Sequence, residues 1–304
     1  MNAPLALSIL GSGSSGNCTA IVLGPDEPAP RVILVDAGLS PRSTRRRLGE
    51  VGLRFTDVTD ILLTHLDSDH LHASWPAALF HNDRIHVHIH ARHAAALRAT
   101  GLNARRLCVI DDTSEELPLL PPPATWPREG EAAPRSPTFH DGTRVGSVGL
   151  PHDEAGATAY VLEHAGARIG FATDLGHVTA RLLEAFVDLD ALAFESNYDP
   201  HLQLASARPE FLKRRIMGGH GHLSNEEALE AIVEIDRRSR LQHVALLHLS
   251  RQCNDPGLVR SLWASKAPHL VGRLVLARQD VPTPMLRVAP TGQRSPDAGS
   301  CRFQ

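Results

Sequence analysis

The chain has 304 residues, enough for one large domain or two small ones, and its 42% hydrophobic and 21% charged residues are typical of a globular protein. The formal net charge of −3 excludes a general attraction to nucleic acid, so polyanion binding would need a local basic patch. Four scattered cysteines without a Cys-x-x-Cys pair argue against a disulfide framework and a cysteine-based zinc site. With no leader-like start and no bilayer-spanning apolar run, we expect a soluble cytoplasmic protein.

The first part of the chain reads as β-hairpins followed by alternating strands and helices. Apolar runs with turn residues between them predict strands at 5–10, 19–23, 31–36, 60–65 and 85–90. Helices are expected at 40–52, 71–80 and 91–101. His86, His88 and His90 share one face of the last strand, which indicates a polar sheet face or, alternatively, a second metal stripe.

The second part of the chain repeats the same order after an interruption. Residues 111–137 are rich in proline and acid, and we expect a loop insertion there. Strands are expected at 143–151, 157–164, 167–174, 189–196 and 243–250, and helices at 178–186 and 224–240. The pattern predicts an α/β fold of two face-to-face sheets with outer helices, an αββα sandwich, in a single domain over 1–286 with a disordered tail over 287–304.

A glycine-rich loop follows the first predicted strand. Gly11, Gly13 and Gly16 form G-x-G-x-x-G, and Asp36 lies twenty residues further on, as in dinucleotide-binding proteins. In those proteins the loop opens a helix whose N-terminus holds the pyrophosphate. Here it is followed by another strand, so the glycines indicate a tight turn near a site rather than a dinucleotide site.

The stretch "THLDSDH" after the strand at 60–65 concentrates metal-binding side chains. His65 and Asp67 point to the same side of the extended chain, and Asp69 and His70 stand where a helix is expected to start. Imidazole and carboxylate groups are the usual protein ligands of divalent cations. The alternative is a polar strand-to-helix turn with Asp69 as a helix cap.

Three later strands also end in a histidine or an aspartate. His152 follows "GLP", Asp174 follows "GFAT" and His248 follows "ALL". Each alone could be an ordinary edge residue. Together with the first cluster they predict that several strands deliver ligands to one edge of the sandwich.

These motifs resemble the metallo-β-lactamase fold. "THLDSDH", "HD", "ATDLGH", "ESNYD", "GHGHLSN" and "LLHLS", with "GSGSSGNC" and "LVDAGLS" near the start, are similar to the YycJ-like (WalJ) branch, whose members are metal-dependent nucleases or exonucleases. The resemblance covers residues 5 to 260 apart from the insertion. It implies two adjacent divalent metal ions bridged by Asp174, with two ligand sets: His65, Asp67, His152 and Asp174; and Asp69, His70, Asp174 and His248.

Asp67 departs from the family pattern His-x-His-x-Asp-His, because it stands where the second histidine is expected. A carboxylate is a shorter and harder ligand than imidazole, which shifts the preference from Zn²⁺ toward Mn²⁺ or Fe²⁺. We expect two ions, zinc or manganese, with iron(II) as a further alternative. If Asp67 does not reach the metal, its site would be weak or empty.

The resemblance also implies catalytic groups, and the sequence itself indicates substrate contacts. Two metals activate a bridging hydroxide, Asp69 counts among the catalytic residues as well as the ligands, and Glu195 orients His222, which protonates the leaving group. A structural role for His222 at the helix entry is the alternative. Candidate substrate contacts are Ser14, Ser15, Asn17, His177, Lys213, Arg214 and Arg215. The basic runs at 45–47 and 213–215 are polyanion-binding candidates or, alternatively, solvated helix faces.

Together these features predict a metal-dependent hydrolase, a phosphodiesterase or nuclease that resembles a DNA exonuclease. The enzymatic alternative is hydrolysis of a small ester, lactone, lactam or cyclic phosphate. The non-enzymatic alternative is a degenerate binding protein, which the aspartate at 67 makes conceivable. The expected partner is nucleic acid or a small phosphodiester, with no membrane, and the oligomeric state is open.

Overall fold

The computed structural model describes residues 3–80, 82, 84–110, 117–118 and 142–291, and two seven-stranded sheets form its centre. The strands are β1 (Leu5–Gly11), β2 (Cys18–Leu23), β3 (Arg31–Val35), β4 (Val58–Leu63), β5 (His86–His90), β6 (Leu107–Ile110), β7 (Leu117–Pro118), β8 (Arg144–Leu150), β9 (Ala157–His164), β10 (Ala167–Ala172), β11 (Ala191–Glu195), β12 (His243–Leu247), β13 (Leu274–Leu276) and β14 (Leu286–Val288). The first sheet has the order β14-β1-β2-β3-β4-β5-β6, and the second β13-β12-β11-β10-β9-β8-β7.

Helices cover the outer face of each sheet. They are α1 (Pro41–Glu50), α2 (Trp75–Phe80), α3 (Ala91–Ala99), α4 (Ala180–Ala185), α5 (Pro200–Ala205), α6 (Glu210–Met217), α7 (Asn225–Arg237) and α8 (Pro256–Lys266). Apolar side chains form one core between the sheets and one core under each helical layer. Burial of these three apolar layers stabilises the four-layer stack. The predicted αββα sandwich is confirmed.

The direction of the strands decides where the functional side chains lie. β3, β4, β5 and β6 pair in parallel, and so do β10, β11, β12 and β13. The loops that follow parallel strands emerge at one edge of a sheet, which is where ligand sites of such sheets form. The first sheet therefore presents the loop after β4, and the second sheet the loops after β10, β11 and β12, at one edge of the sandwich.

The glycine loop after β1 joins two antiparallel strands, as the sequence predicts. β1 pairs with β2, and Gly13 and Gly16 have φ of 139° and 134°. Only glycine adopts these angles without strain. A Cβ at residue 16 would lie 2.6 Å from the carbonyl oxygen of Gly38, so this glycine also allows close approach of two loops.

Some elements differ from the sequence expectation. Helix α2 begins at Trp75 rather than residue 71, because Leu71 forms a β-bridge with Ala37. β6, α5, α6, α8, β13 and β14 were not predicted. β14 pairs with β1 and includes residues 287 and 288, so the expected tail does not start at 287. Residues 292–304 and all of the expected insertion except 117–118 lie outside the described residues, and the single domain stays a prediction.

The histidine face of β5 is buried against the other sheet. His88 Nε2 lies 2.8 Å from Asp60 Oδ1, and the guanidinium of Arg31 lies 2.7 Å from Asp60 Oδ2. Among the described residues, none of the groups able to hold a metal includes His86, His88 or His90. The face is thus a polar one with an internal ion pair.

Candidate metal centre

The loop after β4 is held in a tight turn by its own backbone. The amides of His70 and Leu71 both donate to the carbonyl of Asp67, at 2.8 and 2.9 Å. The carbonyl of His70 accepts from Ala37 at 2.8 Å, and that of Asp69 accepts from Asn17 at 2.7 Å. Two neighbouring loops therefore fix the turn that carries four of the predicted ligands.

The structure brings all seven predicted ligands into one cluster. His65, Asp67 and His152 form one group whose ligand atoms lie within 4.8 Å of one another, and Asp69, His70 and His248 form a second. Asp174 lies between them, with Oδ2 2.9 Å from His70 Nε2 and Oδ1 3.9 Å from His152 Nε2.

The asymmetry between the two groups lies at Asp67. Its Oδ2 is 3.8 Å from His65 Nε2, and its side chain is 58% exposed, whereas Asp174 is buried. In the second group Asp69 Oδ2 lies 3.4 Å from His248 Nε2 and 3.6 Å from His70 Nε2. The aspartate that replaces a histidine thus occupies the open side of the centre.

Two buried nitrogens show that the cluster fits a cation. The Nε2 atoms of His65 and His248 are buried, and neither has a hydrogen-bond partner among the described residues. The opposite ring nitrogen of His65 lies 2.9 Å from Thr64 Oγ1, and that of His152 lies 2.9 Å from the carbonyl of Gly221. These contacts engage Nδ1 of both rings, and metal-bound histidines make such a contact through the ring nitrogen that does not bind the metal. The unpartnered Nε2 of His65 therefore fits a cation.

Two members of the cluster, His65 and Asp174, have pKa shifts that suit a cation site. Burial is the main cause that holds the pKa of His65 well below its ordinary value, so its ring is neutral and offers a lone pair. Burial alone would raise the pKa of Asp174, but the charges of His248 and His70 outweigh it and keep this pKa well below its ordinary value. The cluster therefore presents a neutral imidazole and an ionised carboxylate, both of which bind divalent ions.

Several of these residues stand in a left-handed backbone conformation. Asp36, Asp153, Asp174 and His248 have φ of 62°, 42°, 54° and 56°. Aspartate and histidine tolerate this region better than most residues, although it remains strained. Of these four residues, Asp174 and His248 belong to the ligand cluster.

Asp36 contacts the cluster through the ring nitrogen of His70 that faces away from the other ligands. No role there was predicted for Asp36 from the sequence. It is completely buried, its Oδ2 lies 2.7 Å from His70 Nδ1, and its Oδ1 accepts from the amide of Thr64 at 2.9 Å. A carboxylate on the far nitrogen of a ligand histidine fixes the ring and raises its basicity. The sequence feature that could have identified this role is the aspartate directly after the apolar strand β3, which pairs with β4.

The glycine loop contributes a second support. Asn17 Nδ2 lies 3.2 Å from Asp69 Oδ2 and 3.0 Å from His70 Nε2, and Asn17 is buried. Its Oδ1 accepts from the amide of Gly13 at 2.8 Å. Ser12 Oγ accepts from the amide of His248 at 2.8 Å. Asn17 thus contacts two predicted metal ligands, whereas contact with the substrate was predicted from the sequence.

Distant residues anchor that loop. The amide of Ser12 donates to the carbonyl of Arg278 at 3.1 Å, and Gln279 Nε2 donates to the carbonyl of Gly16 at 2.8 Å. The buried guanidinium of Arg47 donates to the carbonyls of Leu10 and Gln279, both at 2.7 Å. Arg47 therefore supports the loop and is not part of a basic surface patch.

Glu195 and His222 form a pair beside the cluster. His222 Nδ1 lies 2.7 Å from Glu195 Oε1, and the same oxygen lies 3.2 Å from His248 Nδ1. Glu195 is completely buried and its Oε2 accepts from the amide of Leu175 at 2.8 Å, whereas the His222 side chain is 20% exposed. Burial alone would raise the pKa of Glu195, but the charge and hydrogen bond of His222 lower it. The sequence-predicted pair therefore meets at the edge of the centre.

The remaining predicted substrate contacts lie around the rim. Ser14 and Ser15 are exposed, and the amide of Ser15 donates to Gln279 Oε1 at 2.9 Å. His177 is exposed, with Nδ1 2.9 Å from the carbonyl of Gly219. The structure therefore places these three residues at the surface, where a ligand can reach them.

The basic residues at 213–215 make contacts in different directions from helix α6. Arg215 Nε donates to Asp153 Oδ1 at 2.9 Å, beside His152, whereas Lys213 Nζ donates to the carbonyl of Leu204 at 2.6 Å, away from the ligands. Arg214, the residue before Arg215 in α6, is exposed.

Within the described residues, no helix is both long and apolar enough to cross a membrane.

Comparison with known proteins agrees with this geometry. The chain is 29% identical over 269 residues to the exodeoxyribonuclease YycJ of Bacillus anthracis, which covers 84% of this chain and 86% of that one. It is 28% identical over 247 residues to the exodeoxyribonuclease WalJ of Streptococcus pneumoniae serotype 2, covering 81% and 82%. The crystal structure of the metallo-β-lactamase fold protein YhfI from Bacillus subtilis superposes with a TM-score of 0.60 at 14% identity, over 92% of this chain and 99% of that one.

A match at the level of the family spans most of the chain. Residues 31–248, which run from the first residue of β3 to the last predicted ligand, match the family described as the beta-lactamase superfamily domain. With the four-layer sandwich and the histidine and aspartate cluster at its edge, the chain belongs to the beta-lactamase superfamily and has its metal-binding fold.

Proposed function

We propose that this protein is a metal-dependent phosphodiesterase that cleaves DNA as an exonuclease. The observation that carries the proposal is the His222–Glu195 pair, 2.7 Å apart, at the edge of the ligand cluster. Cleavage of a phosphodiester bond releases an alkoxide, which needs a proton from a positioned acid. The names of the exodeoxyribonuclease relatives support DNA as the substrate.

Seven residues would hold two divalent cations. His65, Asp67 and His152 would hold one ion and Asp69, His70 and His248 the other, and Asp174, which lies within reach of both groups, would be shared. When bound, the two ions supply Lewis-acid polarisation of the phosphoryl group and lower the pKa of the attacking water. Because Asp67 brings an additional carboxylate oxygen, Mn²⁺ and Fe²⁺ are favoured more than in a site with histidine there.

The side chains around the ions orient the reaction. Glu195 accepts the Nδ1 proton of His222, so Nε2 is the nitrogen that reaches the leaving oxygen and donates a proton to it. Asp36 holds the ring of His70, and Asn17 holds the carboxylate of Asp69. A rigid ligand set keeps the scissile bond in line with the attacking water.

Basic and polar groups at the rim would bind the phosphate backbone. Arg215 stands beside His152 through its ion pair with Asp153, and Arg214, the preceding residue of α6, is exposed. Ser14, Ser15 and His177 are exposed on other loops and can donate to phosphate oxygens. Lys213 contributes charge at a greater distance, because its ammonium group is bound to the carbonyl of Leu204.

Metal analysis followed by digestion of labelled DNA tests the proposal. The purified chain, saturated with Mn²⁺ or Zn²⁺, is incubated with end-labelled duplex and single strands, with bis-p-nitrophenyl phosphate and with a panel of esters and lactones. We expect metal-dependent release of nucleotides, abolished in Asp174→Ala. Hydrolysis of an ester or lactone with intact DNA would refute the nuclease function, and metal binding without any hydrolysis would indicate a binding protein.

A further inference from the structure

A helical segment lies along the rim of the metal centre. This segment, called the 199–218 segment below, contains α5 and α6. The amide of Asp199 donates to the carbonyl of Cys253 at 2.8 Å, and Arg208 Nη2 lies 3.4 Å from Ser250 Oγ, in the loop that follows His248. At the other end, Arg215 binds Asp153 next to His152. The segment therefore spans the distance between two loops that carry ligands.

The two faces of α6 differ in character. Ile216, with Leu212 and Met217, packs on Tyr198 and Cys253 in a small core of its own. The opposite face carries Phe211, Arg214 and Arg215, at positions i, i+3 and i+4, which are neighbours on a helix surface. The phenyl ring of Phe211 is 70% exposed, more than any other large hydrophobic side chain among the described residues.

The charge of the segment contrasts with that of the whole chain. It contains four basic and two acidic residues, whereas the chain has a formal net charge of −3. Lys213 and Arg208 are held by hydrogen bonds, and Arg214 makes no ion pair within the described residues. The exposed face of α6 thus combines one free cation, one cation fixed at the centre and one unshielded aromatic ring.

We propose that this face is a stacking platform for single-stranded DNA on its way to the metal centre. A base stacks on Phe211, while Arg214 and Arg215 contact the phosphates on either side of it. Aromatic rings interleaved with basic side chains bind single strands with little sequence preference, because every base has a π face. The proposal rests on the nuclease function and specifies the form of DNA that the rim accepts.

Variants of Phe211 in the metal-loaded chain of 304 residues test the platform. Phe211→Ala should lower kcat/KM on a labelled single-stranded oligonucleotide about 5- to 100-fold, the effect of removing one base–aromatic stack. It should leave the hydrolysis of bis-p-nitrophenyl phosphate and the metal content unchanged. Phe211→Trp should retain activity on the oligonucleotide, because indole also stacks.

A matched exposed phenylalanine and a modified substrate provide the controls. Phe80 is 57% exposed and ends α2, where the chain returns to the start of β5 at the sheet edge opposite the centre, so Phe80→Ala should have no effect. On an oligonucleotide with abasic sites, the difference between the wild type and Phe211→Ala should disappear, because no base remains to stack.

Two different failures can be distinguished. If the wild type cleaves single strands and Phe211→Ala does so equally well, the platform is refuted and the nuclease function stands. If the wild type cleaves bis-p-nitrophenyl phosphate but no nucleic acid, the nuclease function fails and the platform fails with it. An equal loss on the oligonucleotide with and without bases would also refute stacking.

Discussion

The amide nitrogen of Asn17 lies 3.2 Å from Oδ2 of Asp69 and holds this carboxylate toward the metal centre. The two residues are 52 positions apart in the chain, and the glycine loop brings them together. The backbone of Asn17 donates to the carbonyl of Asp69 as well, at 2.7 Å. Position and orientation of Asp69 thus depend on one asparagine.

Removing the Asn17 side chain should weaken metal binding. We expect Asn17→Ala to lower the metal affinity about 10- to 100-fold, because residues that orient ligands have effects of this size. Titration against a competing chelator measures it. Ser14→Ala, in the same loop but exposed and without contact to Asp69, should leave the affinity unchanged. Equal affinities of Asn17→Ala and the wild type would show that Asp69 is held without Asn17.

Gly38 is expected to be intolerant of any side chain. A Cβ at this position would overlap the carbonyl group of Asp69 and approach the amide of Asn17 to 2.6 Å. Gly38→Ala should therefore destabilise the fold by about 3 kcal/mol and lower the metal content. Gly49→Ala in α1, where nothing lies within 4 Å, should stabilise the fold by about 0.5–1 kcal/mol. Urea unfolding of both variants makes the comparison, and similar stabilities would contradict it.

His222 is expected to act on the leaving group. His222→Ala should lower kcat on DNA about 10²- to 10⁴-fold without changing the metal content, since a general acid contributes this much. The loss should be far smaller with bis-p-nitrophenyl phosphate, whose leaving group departs without a proton. His220→Ala, two residues away on the same loop and exposed, is the control. Equal losses on both substrates would point to a different role for His222.

Asp67 is expected to decide the number and the kind of metal. The wild type should bind two Mn²⁺ ions per chain, and Asp67→Ala should bind one, because only two histidines and the shared carboxylate of Asp174 would remain for the other ion. Asp67→His should shift the preference toward Zn²⁺. Elemental analysis after dialysis against each metal gives the stoichiometry, with Asp174→Ala as the variant that loses both ions. One ion per wild-type chain at saturation would disprove the two-metal centre.

The buried ion pair of Asp60 should stabilise the fold most above pH 4. Burial alone would raise the pKa of Asp60, but the hydrogen bond and charge of His88 and the charge of Arg31 outweigh it and depress the pKa. A carboxyl group whose pKa is lowered in the folded state stabilises the fold fully above its unfolded-state pKa of about 4. This stabilisation is lost as the pH falls from there toward the folded-state pKa.

Asp60→Asn measures this contribution. We expect the free energy of unfolding in urea to fall by about 3 kcal/mol at pH 7, and the difference from the wild type to shrink below about pH 4. Glu50→Gln, in an exposed pair with Arg46 at 3.5 Å, should change stability by less than about 1 kcal/mol. A difference that is independent of pH would mean that the charge of Asp60 is not the source.

Much of the centre could be predicted because its ligands end apolar strands. His65, His152, Asp174 and His248 each follow a run that reads as a buried strand, and parallel strands bring their ends to one edge. The Glu195–His222 pair came from the family resemblance, and the structure places its two members in contact. The pairing of each ligand with a particular ion remains a prediction.

The supporting contacts could not be predicted, because they join segments that are distant in the chain. Gln279 contacts Gly16 across 263 positions, and no local pattern indicates such a partner. Asp36 appeared as part of a dinucleotide-like motif, and its contact with His70 depends on the alignment of β3 with β4. The helices of the 199–218 segment are short, so they carry too few turns for a clear amphipathic period.

The anchoring of the glycine loop by Gln279 has a consequence for biosynthesis. A ribosome that adds about 5–20 residues per second needs roughly ten to fifty seconds to go from Asn17 to Gln279. Until then the loop that positions Asp69 lacks its clamp, and β1 lacks β14 at its outer edge. The nascent chain therefore completes its cation-binding pocket only after Gln279 has been synthesised, long after the first predicted ligands at 65–70.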